Sequence, residues 1–248
     1  MAASERRKGL RGIRIREVLA NCPRRVGPTA SRPAFRDTES SPRLDMIMTE
    51  EEPAQPRIWH RYIAADGTWR RKEGTAAEKR PPGEDLAVLR RGLGRPAGTV
   101  LEMFPFYTCP VDDYAARRGE VSAEQEAEHI ALALYGLHQQ SQERPMHRDG
   151  AGLGRAVLGL RRHKRTSEEA VDSRFQQVFS ATSTDTLALR LRGLISQLKD
   201  IKEPVDYNRL ISDIHDWSRP DSRSRVRRRW GLDYYGWTQG ATGRRTDG

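Results

Sequence analysis

The chain holds only two cysteines in 248 residues, Cys22 and Cys109, and neither lies in a CxxC or Cys/His spacing. That excludes a disulfide framework and a zinc ligand set, and predicts free thiols in a reducing cytoplasm. Long apolar runs are missing too: no stretch of about 18 apolar residues occurs, so no segment reads as a membrane-spanning helix. The first twenty residues lack the apolar core of a secretory signal, and Glu5 and Glu17 argue against a transit peptide. No P-loop, nucleophile elbow or HExxH is present, so no motif points to a cofactor or to catalysis. Two-residue alternation is absent between residues 84 and 240, which argues against strands there. With 36% hydrophobic residues and a mean hydropathy of −0.80, the chain has apolar material for one core with irregular flanks.

Positive charge, by contrast, is plentiful, with a formal net charge of +10. Its placement matters more than its total. Residues 1–47 carry eleven Arg and Lys against five Asp and Glu, whereas residues 84–240 carry 24 against 22. Within that second region the signs are segregated. Arg144, Arg148, Arg155, Arg161, Arg162, Lys164 and Arg165 meet one acid, Asp149, over the same stretch. Arg219, Arg223, Arg225, Arg227, Arg228 and Arg229 meet only Asp221. Asp112, Asp113, Glu120, Glu124, Glu126 and Glu128 form an acidic stretch interrupted by Arg117 and Arg118. A basic side and an acidic side are expected.

Residues 1–47 have few aromatics and no sustained apolar period, which predicts a disordered extension. Met48 opens MTEEEPAQPRIWHRY, which reads like a natural start, so residues 1–47 are expected to be an upstream translation extension. Residues 48–83 form a Pro- and charge-rich arm in which IWHRYI can dock as an extended arm or a helical turn. Residues 84–240 form the helical domain, and 241–248 a flexible tail.

Apolar spacing places the helices. Leu86, Leu89 and Leu93 mark one that should stop by Gly94 and Pro96. Ser122 with Gln125 suggests a capping box ahead of Ala127, Ile130, Leu134 and Leu137. Leu153, Val157 and Leu160 mark a short helix, opened by the GAGLG glycines. Thr166 with Glu169 suggests a second box before Val171, Phe175, Val178 and Phe179. Ser183 or Thr184 starts a helix with Leu187, Leu191, Leu194, Ile195 and Leu198. Asp206 starts another with Leu210, Ile211, Ile214 and Trp217, closed by Pro220. The last holds Val226 and Trp230 before Tyr234, Tyr235 and Trp237. The expected fold class is an all-α helical bundle.

His129 and His138 are nine residues apart, not on adjacent turns as zinc-binding i, i+4 histidines are, and read as structural. His147 beside Asp149 has no second carboxylate cluster nearby in sequence, so no metal site is assigned. Arg161–Arg165 sits at a helix end, where cations meet the negative end of the dipole without needing a function. In RSRVRRRW, Arg225, Arg228 and Arg229 lie on overlapping turns while Val226 and Trp230 can face a core, so the helix can anchor inward and present these cations outward. Arginine outnumbers lysine heavily, which suits bidentate phosphate contact and equally suits a GC-rich genome.

Taken in order, LAVLRRGLG (86–94), the helix ending ALYGLHQQS, GLGRAVLGLRR, EEAVDSRFQQVFSA, PVDYNRLISDIHDW and RVRRRWGLDYY resemble the CasB family, the small subunit of the type I-E CRISPR Cascade complex. The resemblance spans about residues 84–237. It implies an all-α, non-catalytic, cytoplasmic protein of antiviral defence, without cofactor or metal. Its implied partners are the crRNA, the target DNA with its displaced single strand, the large and backbone subunits of Cascade, and a second copy of itself. Basic positions of the family pattern fall on Arg90, Arg91, Arg155, Arg174, Arg192 and the Arg219–Arg225 region. The resemblance therefore implies phosphate contact by Arg90, Arg91, Arg155, Arg174, Arg192, Arg219 and Arg223. Arg161, Arg162, Arg225 and Arg228 supply supporting positive field. The segment before Met48 falls outside the family pattern, and Ser180 and Ser183 stand where some relatives carry basic residues.

Two rival readings remain. A free-standing helix-turn-helix regulator would need Asn and Gln among the arginines of a recognition helix, a mix the candidate helices lack. A structural scaffold would instead pair its arginines with acids such as Glu124, Glu126 and Glu128 of a neighbour.

Overall fold

The computed structural model describes residues 56–236. The expected extension over 1–47, Met48, Cys22, Trp237 and the tail over 241–248 lie outside the described residues. In chain order the helices are α1 (Ile58–Tyr62), α2 (Gly83–Arg91), α3 (Asp113–Arg117), α4 (Ala123–Gln139), α5 (Leu153–Arg161), α6 (Glu168–Phe179), α7 (Thr184–Asp200), α8 (Tyr207–Trp217) and α9 (Pro220–Tyr234). A 3-10 turn at Leu101–Phe106 lies between α2 and α3. Among the described residues there is no sheet, only isolated bridges such as Ile63 with Trp69, so the fold class is all-α.

Side-chain caps set most helix starts. Ser122 accepts a hydrogen bond from the Gln125 amide at 3.1 Å, Ser183 from Thr186 at 3.2 Å, and Asp206 from Arg209 at 3.0 Å. The start of α6 corrects the reading by one residue. Ser167, not Thr166, is the cap, accepting from Ala170 at 3.2 Å, while the Thr166 hydroxyl turns back to donate to His163 O at 2.8 Å. Pro220 likewise does not close α8, which ends at Trp217; it occupies the first turn of α9, where its missing N–H has no helical partner to lose. The helix α2 ends at Arg91 with Gly92 as its C-cap, before Gly94. IWHRY forms the short helix α1, which seats Trp59 in a ring cluster with Tyr135, His147 and Tyr207.

Helix α4 is the centre of the bundle. It packs against α2, α7 and α8, while α9 lies across α5 and α8, and α6 fits against α5 and α7. Contact from several sides explains why its apolar stripe underdescribes it. Ala131, Leu132 and Tyr135 are fully buried alongside Ala127 and Leu134, whereas Ile130 and Leu137 are only partly covered. Gly136 permits the close crossing with α2, since a Cβ there would lie 2.7 Å from Leu89 Cβ.

Burial near α4 has a pH consequence. His138 is completely buried with Nδ1 3.0 Å from the Tyr207 hydroxyl, and burial holds its pKa down to about 3. The unfolded chain takes up that proton near the ordinary value of 6.5. Folding stability is therefore full above about pH 6.5 and is lost progressively as pH falls from there toward about 3. Buried His129 and His147 shift in the same direction and steepen the loss. A melting temperature followed by circular dichroism should fall across this window, and less so in a His138→Gln variant. A flat profile from pH 6.5 to 4.5 would contradict this assignment.

Candidate nucleic-acid interface

The α8–α9 corner is built on two stacked tryptophans. Trp217 ends α8 and lies against Trp230 of α9, their rings 5.2 Å apart and inclined by 24°. The α9 sequence alternates what this contact needs with what it leaves outside. Val226 and Trp230 are fully buried, whereas Arg229, expected on the outward face with Arg225 and Arg228, turns inward because the buried carboxylate of Asp213 on α8 takes it. Arg227 lies over the Trp217 ring at 5.2 Å and donates to Ala181 O at 3.0 Å, which ties the corner to the α6–α7 turn. Arg223 donates to Trp217 O at 2.9 Å. Arg225 and Arg228, one turn apart, remain on the exposed face.

The eleven candidate arginines divide into two groups. Five already have a strong or local partner. Arg161 pairs with Asp172 at 2.9 Å and Glu168 at 2.8 Å, joining α5 to α6. Arg91 pairs with Glu102 at 2.6 Å. Arg223 holds the Trp217 carbonyl, Arg225 donates to Ser222 Oγ at 2.9 Å, and Arg219 Nη2 lies 3.0 Å from His215 Nε2. The Arg91 pair is more than half exposed on both sides, so it constrains that side chain only weakly. The other six, Arg90, Arg155, Arg162, Arg174, Arg192 and Arg228, make no side-chain hydrogen bond or ion pair with a described residue. All of these six but Arg90, which is half-buried, are exposed.

The profile of the CRISPR-associated protein Cse2 family matches residues 85–235. The chain belongs to that family. Among solved structures it is similar to CasB from Thermobifida fusca, at 34% identity and a TM-score of 0.50, over 62% of this chain and 84% of that one. It is also similar to a Cse2-family protein from Thermus thermophilus, at 28% identity and a TM-score of 0.46, over 61% and 85%. A chain of a CRISPR RNA-guided surveillance complex has 21% identity and a TM-score of 0.49, over 65% and 86%. A search of the curated proteins finds no match.

Within this Cse2 fold the candidate arginines fall on several elements. Arg90 and Arg91 lie on α2, against α4, and in the packing order α4 and α8 stand between α2 and α9. Arg174 lies on the α6 flank that meets α7: Gln177, one turn further on, is hydrogen-bonded to Arg190. Arg190 is a cation the sequence reading missed. It is two residues from Arg192, and helical spacing puts the two on opposite flanks of α7, but nothing local says which flank meets α6. Arg192 borders a groove toward α4 together with Arg95, also missed.

The acidic stretch is less of a surface than the sequence suggests. Glu128 is buried and accepts hydrogen bonds from the Thr108 and Cys109 amides at 2.9 Å each, so it closes the chain onto α4 and is withdrawn from any neighbour. Burial and this carboxylate push the Cys109 thiol up to about 12, leaving it protonated and unreactive at neutral pH.

His60, His147 and Asp149 bring potential ligand atoms within 4.8 Å of one another. Their hydrogen bonds describe a different role. The Tyr207 amide donates to His147 Nδ1 at 3.1 Å, so the neutral ring carries its proton on Nε2, the nitrogen facing Asp149 Oδ1 at 3.2 Å. A metal at Nε2 would need the lone pair that this proton occupies. Asn208 Nδ2 lies 3.0 Å from His60 Nε2 and donates to Asp149 Oδ1 at 3.1 Å, completing a cluster that pins α1 to α8. His129 is structural as well, bonded to the Tyr107 hydroxyl at 2.7 Å and to the Arg95 carbonyl at 2.9 Å.

Proposed function

We propose that this Cse2-family chain is a non-catalytic small subunit of a type I-E Cascade complex. In this reading it grips nucleic-acid backbone beside the crRNA and the displaced target strand, in the cytoplasm, next to the large and backbone subunits and a second copy of itself. The observation that supports the reading is the set of six arginines that make no side-chain hydrogen bond or ion pair with a described residue. Guanidinium groups left unpaired on a folded surface are available for bidentate contact with phosphate. The paired arginines supply the frame: Arg227 and Arg229 lock the corner from which Arg225 and Arg228 project. Sequence is read by the guide, so backbone cations suffice here. R-loop formation exchanges duplexes of similar stability, and a modest protein contribution tips it.

The test is binding of the full chain to single-stranded DNAs of unrelated sequence between about 50 and 200 mM salt. Affinity should fall steeply with salt and depend little on sequence. Replacing Arg90, Arg155, Arg174, Arg192 and Arg228 with Ala should flatten the log–log salt dependence by about 0.7 for each phosphate no longer neutralised. In the assembled complex, Arg90→Ala with Arg91→Ala should shorten R-loop lifetime without unfolding the chain. An unchanged slope and lifetime would overturn the assignment. Strong sequence preference in isolation would favour a regulator instead, and salt-sensitive self-association without nucleic-acid affinity would favour a scaffold.

A further inference from the structure

The aromatic rings of α6 and α9 form a series that begins in the core and ends in solvent. Phe179 lies 4.9 Å from Phe175, Phe175 lies 4.6 Å from Tyr234, and Tyr234 lies 5.2 Å from Tyr235. Phe175 and Tyr234 are buried, Phe179 is half-buried, and Tyr235 is 69% exposed. All four rings line one pocket of about 180 Å³, together with Asp172, Gln176 and Gly231. A site for a drug-sized ligand measures roughly 300–1,000 Å³, so this one admits a single ring system. Gly231 keeps the space open by contributing no side chain, and a Cβ there would sit at ordinary contact distance, 3.8 Å, from Phe179.

The polar groups around the pocket indicate what enters it. Asp172 is the one acid in its lining, and that carboxylate already accepts from Arg161 at 2.9 Å and from the Tyr234 hydroxyl. It therefore selects no further cation. Gln176 is exposed, and its amide makes no hydrogen bond with a described residue. Such an amide offers a donor and acceptors together, which suits the edge of a nucleobase and has no use against an apolar side chain. Positive charge leads to the pocket along α9. Gly231 meets Phe179, and Arg227, one turn earlier, meets Ala181 beyond the end of α6, so the arginine-rich turns of α9 adjoin the Phe179 end of the pocket. Helical spacing puts Arg225, Arg228 and Tyr235 on one face, the last two about 10 Å apart along the axis. Both arginines are exposed, and a strand held on them reaches the pocket within a few nucleotides. Aromatic rings stack bases of any sequence, which matches a strand gripped by its backbone.

We infer that this pocket takes one unpaired nucleobase from a single strand whose phosphates lie along Arg225 and Arg228, the base stacking on Tyr235 beside Phe179 with its edge toward Gln176. The inference rests on the reading of the chain as a backbone-binding subunit and adds a base to what it holds. It also supplies a preference for single strands, since the bases of a duplex are already stacked and paired.

The experiment compares the affinity of the full chain for two single strands of equal length, oligothymidine and the same sugar-phosphate chain built of stable abasic residues. Wild type should bind the base-bearing strand about tenfold more tightly, with the same log–log salt dependence for both. Tyr235→Ala should remove most of that preference while melting temperature and salt dependence change little. Tyr235→Phe keeps the ring and should retain the preference. Gly231→Leu fills the pocket from α9 without removing a ring or an arginine, so it should abolish the preference as well and keeps the test open if Tyr235→Ala folds poorly. Equal affinity of the wild type for the two strands would overturn the inference and leave the backbone reading standing. So would an undiminished preference in both Tyr235→Ala and Gly231→Leu. Normal strand binding by these variants with loss of incorporation into a guide-RNA-bearing complex would make the occupant a protein side chain, and the inference would fall with it. Failure of the wild type to bind either strand would remove the underlying reading together with the inference.

Discussion

Replacing Asp213 with Ala should destabilise the fold by about 3–5 kcal/mol, the range for removing one partner of a buried charge pair. Asp213 is 1% exposed, and its carboxylate does two jobs. It accepts from the Trp230 indole N–H at 2.6 Å and pairs with Arg229, itself only one-third exposed. Truncation leaves a buried indole donor and a poorly hydrated guanidinium without partners. Burial already lowers the Arg229 pKa, so that cation depends on its acid. The α8–α9 corner hangs on this contact, and with it the orientation of Arg225 and Arg228. For a domain of this size the melting temperature should drop by roughly 6–20 °C. Asp213→Asn, which keeps an acceptor, should lose clearly less. Asp213→Ala combined with Arg229→Met should lose less than the sum of the single changes, because the second removes the orphaned charge. Chemical denaturation of the wild type, these three variants and Arg229→Met alone measures the free-energy losses. A loss below about 1 kcal/mol for Asp213→Ala would refute the structural role.

The second large effect is expected at Gly154. A Cβ there would sit 2.2 Å from the Trp230 carbonyl oxygen and 2.8 Å from Asp233 Cβ. These are main-chain and stem atoms of α9 and do not move as a side-chain tip does. Gly154→Ala must therefore push α5 from α9, at a cost of about 3 kcal/mol, and Gly154→Leu more. Intrinsic helix preference points the other way, since Ala is better than Gly within a helix by about 1 kcal/mol. Gly193 provides the control. It is exposed on α7 with open space around the Cβ position, so Gly193→Ala should raise stability by about 0.5–1 kcal/mol. If both substitutions moved stability the same way, close approach would not be what keeps glycine at position 154.

The contrast between these glycines shows where reading the chain as a string stops. GAGLG is legible as the opening of a helix, and Gly152 is indeed the residue before α5. The reason for Gly154 is the carbonyl of Trp230, far along the chain, which no local pattern contains. Thr166 and Ser167 differ in the same way. Both can cap, and the choice went to Ser167 because the Thr166 hydroxyl is taken by the end of α5. Glu128 belongs to a visibly acidic run, yet burial against Thr108 and Cys109 makes it a structural anchor. Arg161 lies in a visibly basic run of the helical domain and is held by Asp172 and Glu168.

Helical character, most helix starts and the apolar faces of α5 to α9 followed from spacing and capping chemistry, because backbone hydrogen bonds and i, i+4 neighbours are local. The order of motifs carried the resemblance to the family for the same reason. Only the tertiary structure decided which arginines are held by another described residue and which are not, and that α4 is buried between α2, α7 and α8. A guanidinium group reaches several ångströms from its backbone and pairs with whatever acid another helix brings near. Its availability is therefore a property of packing between distant segments.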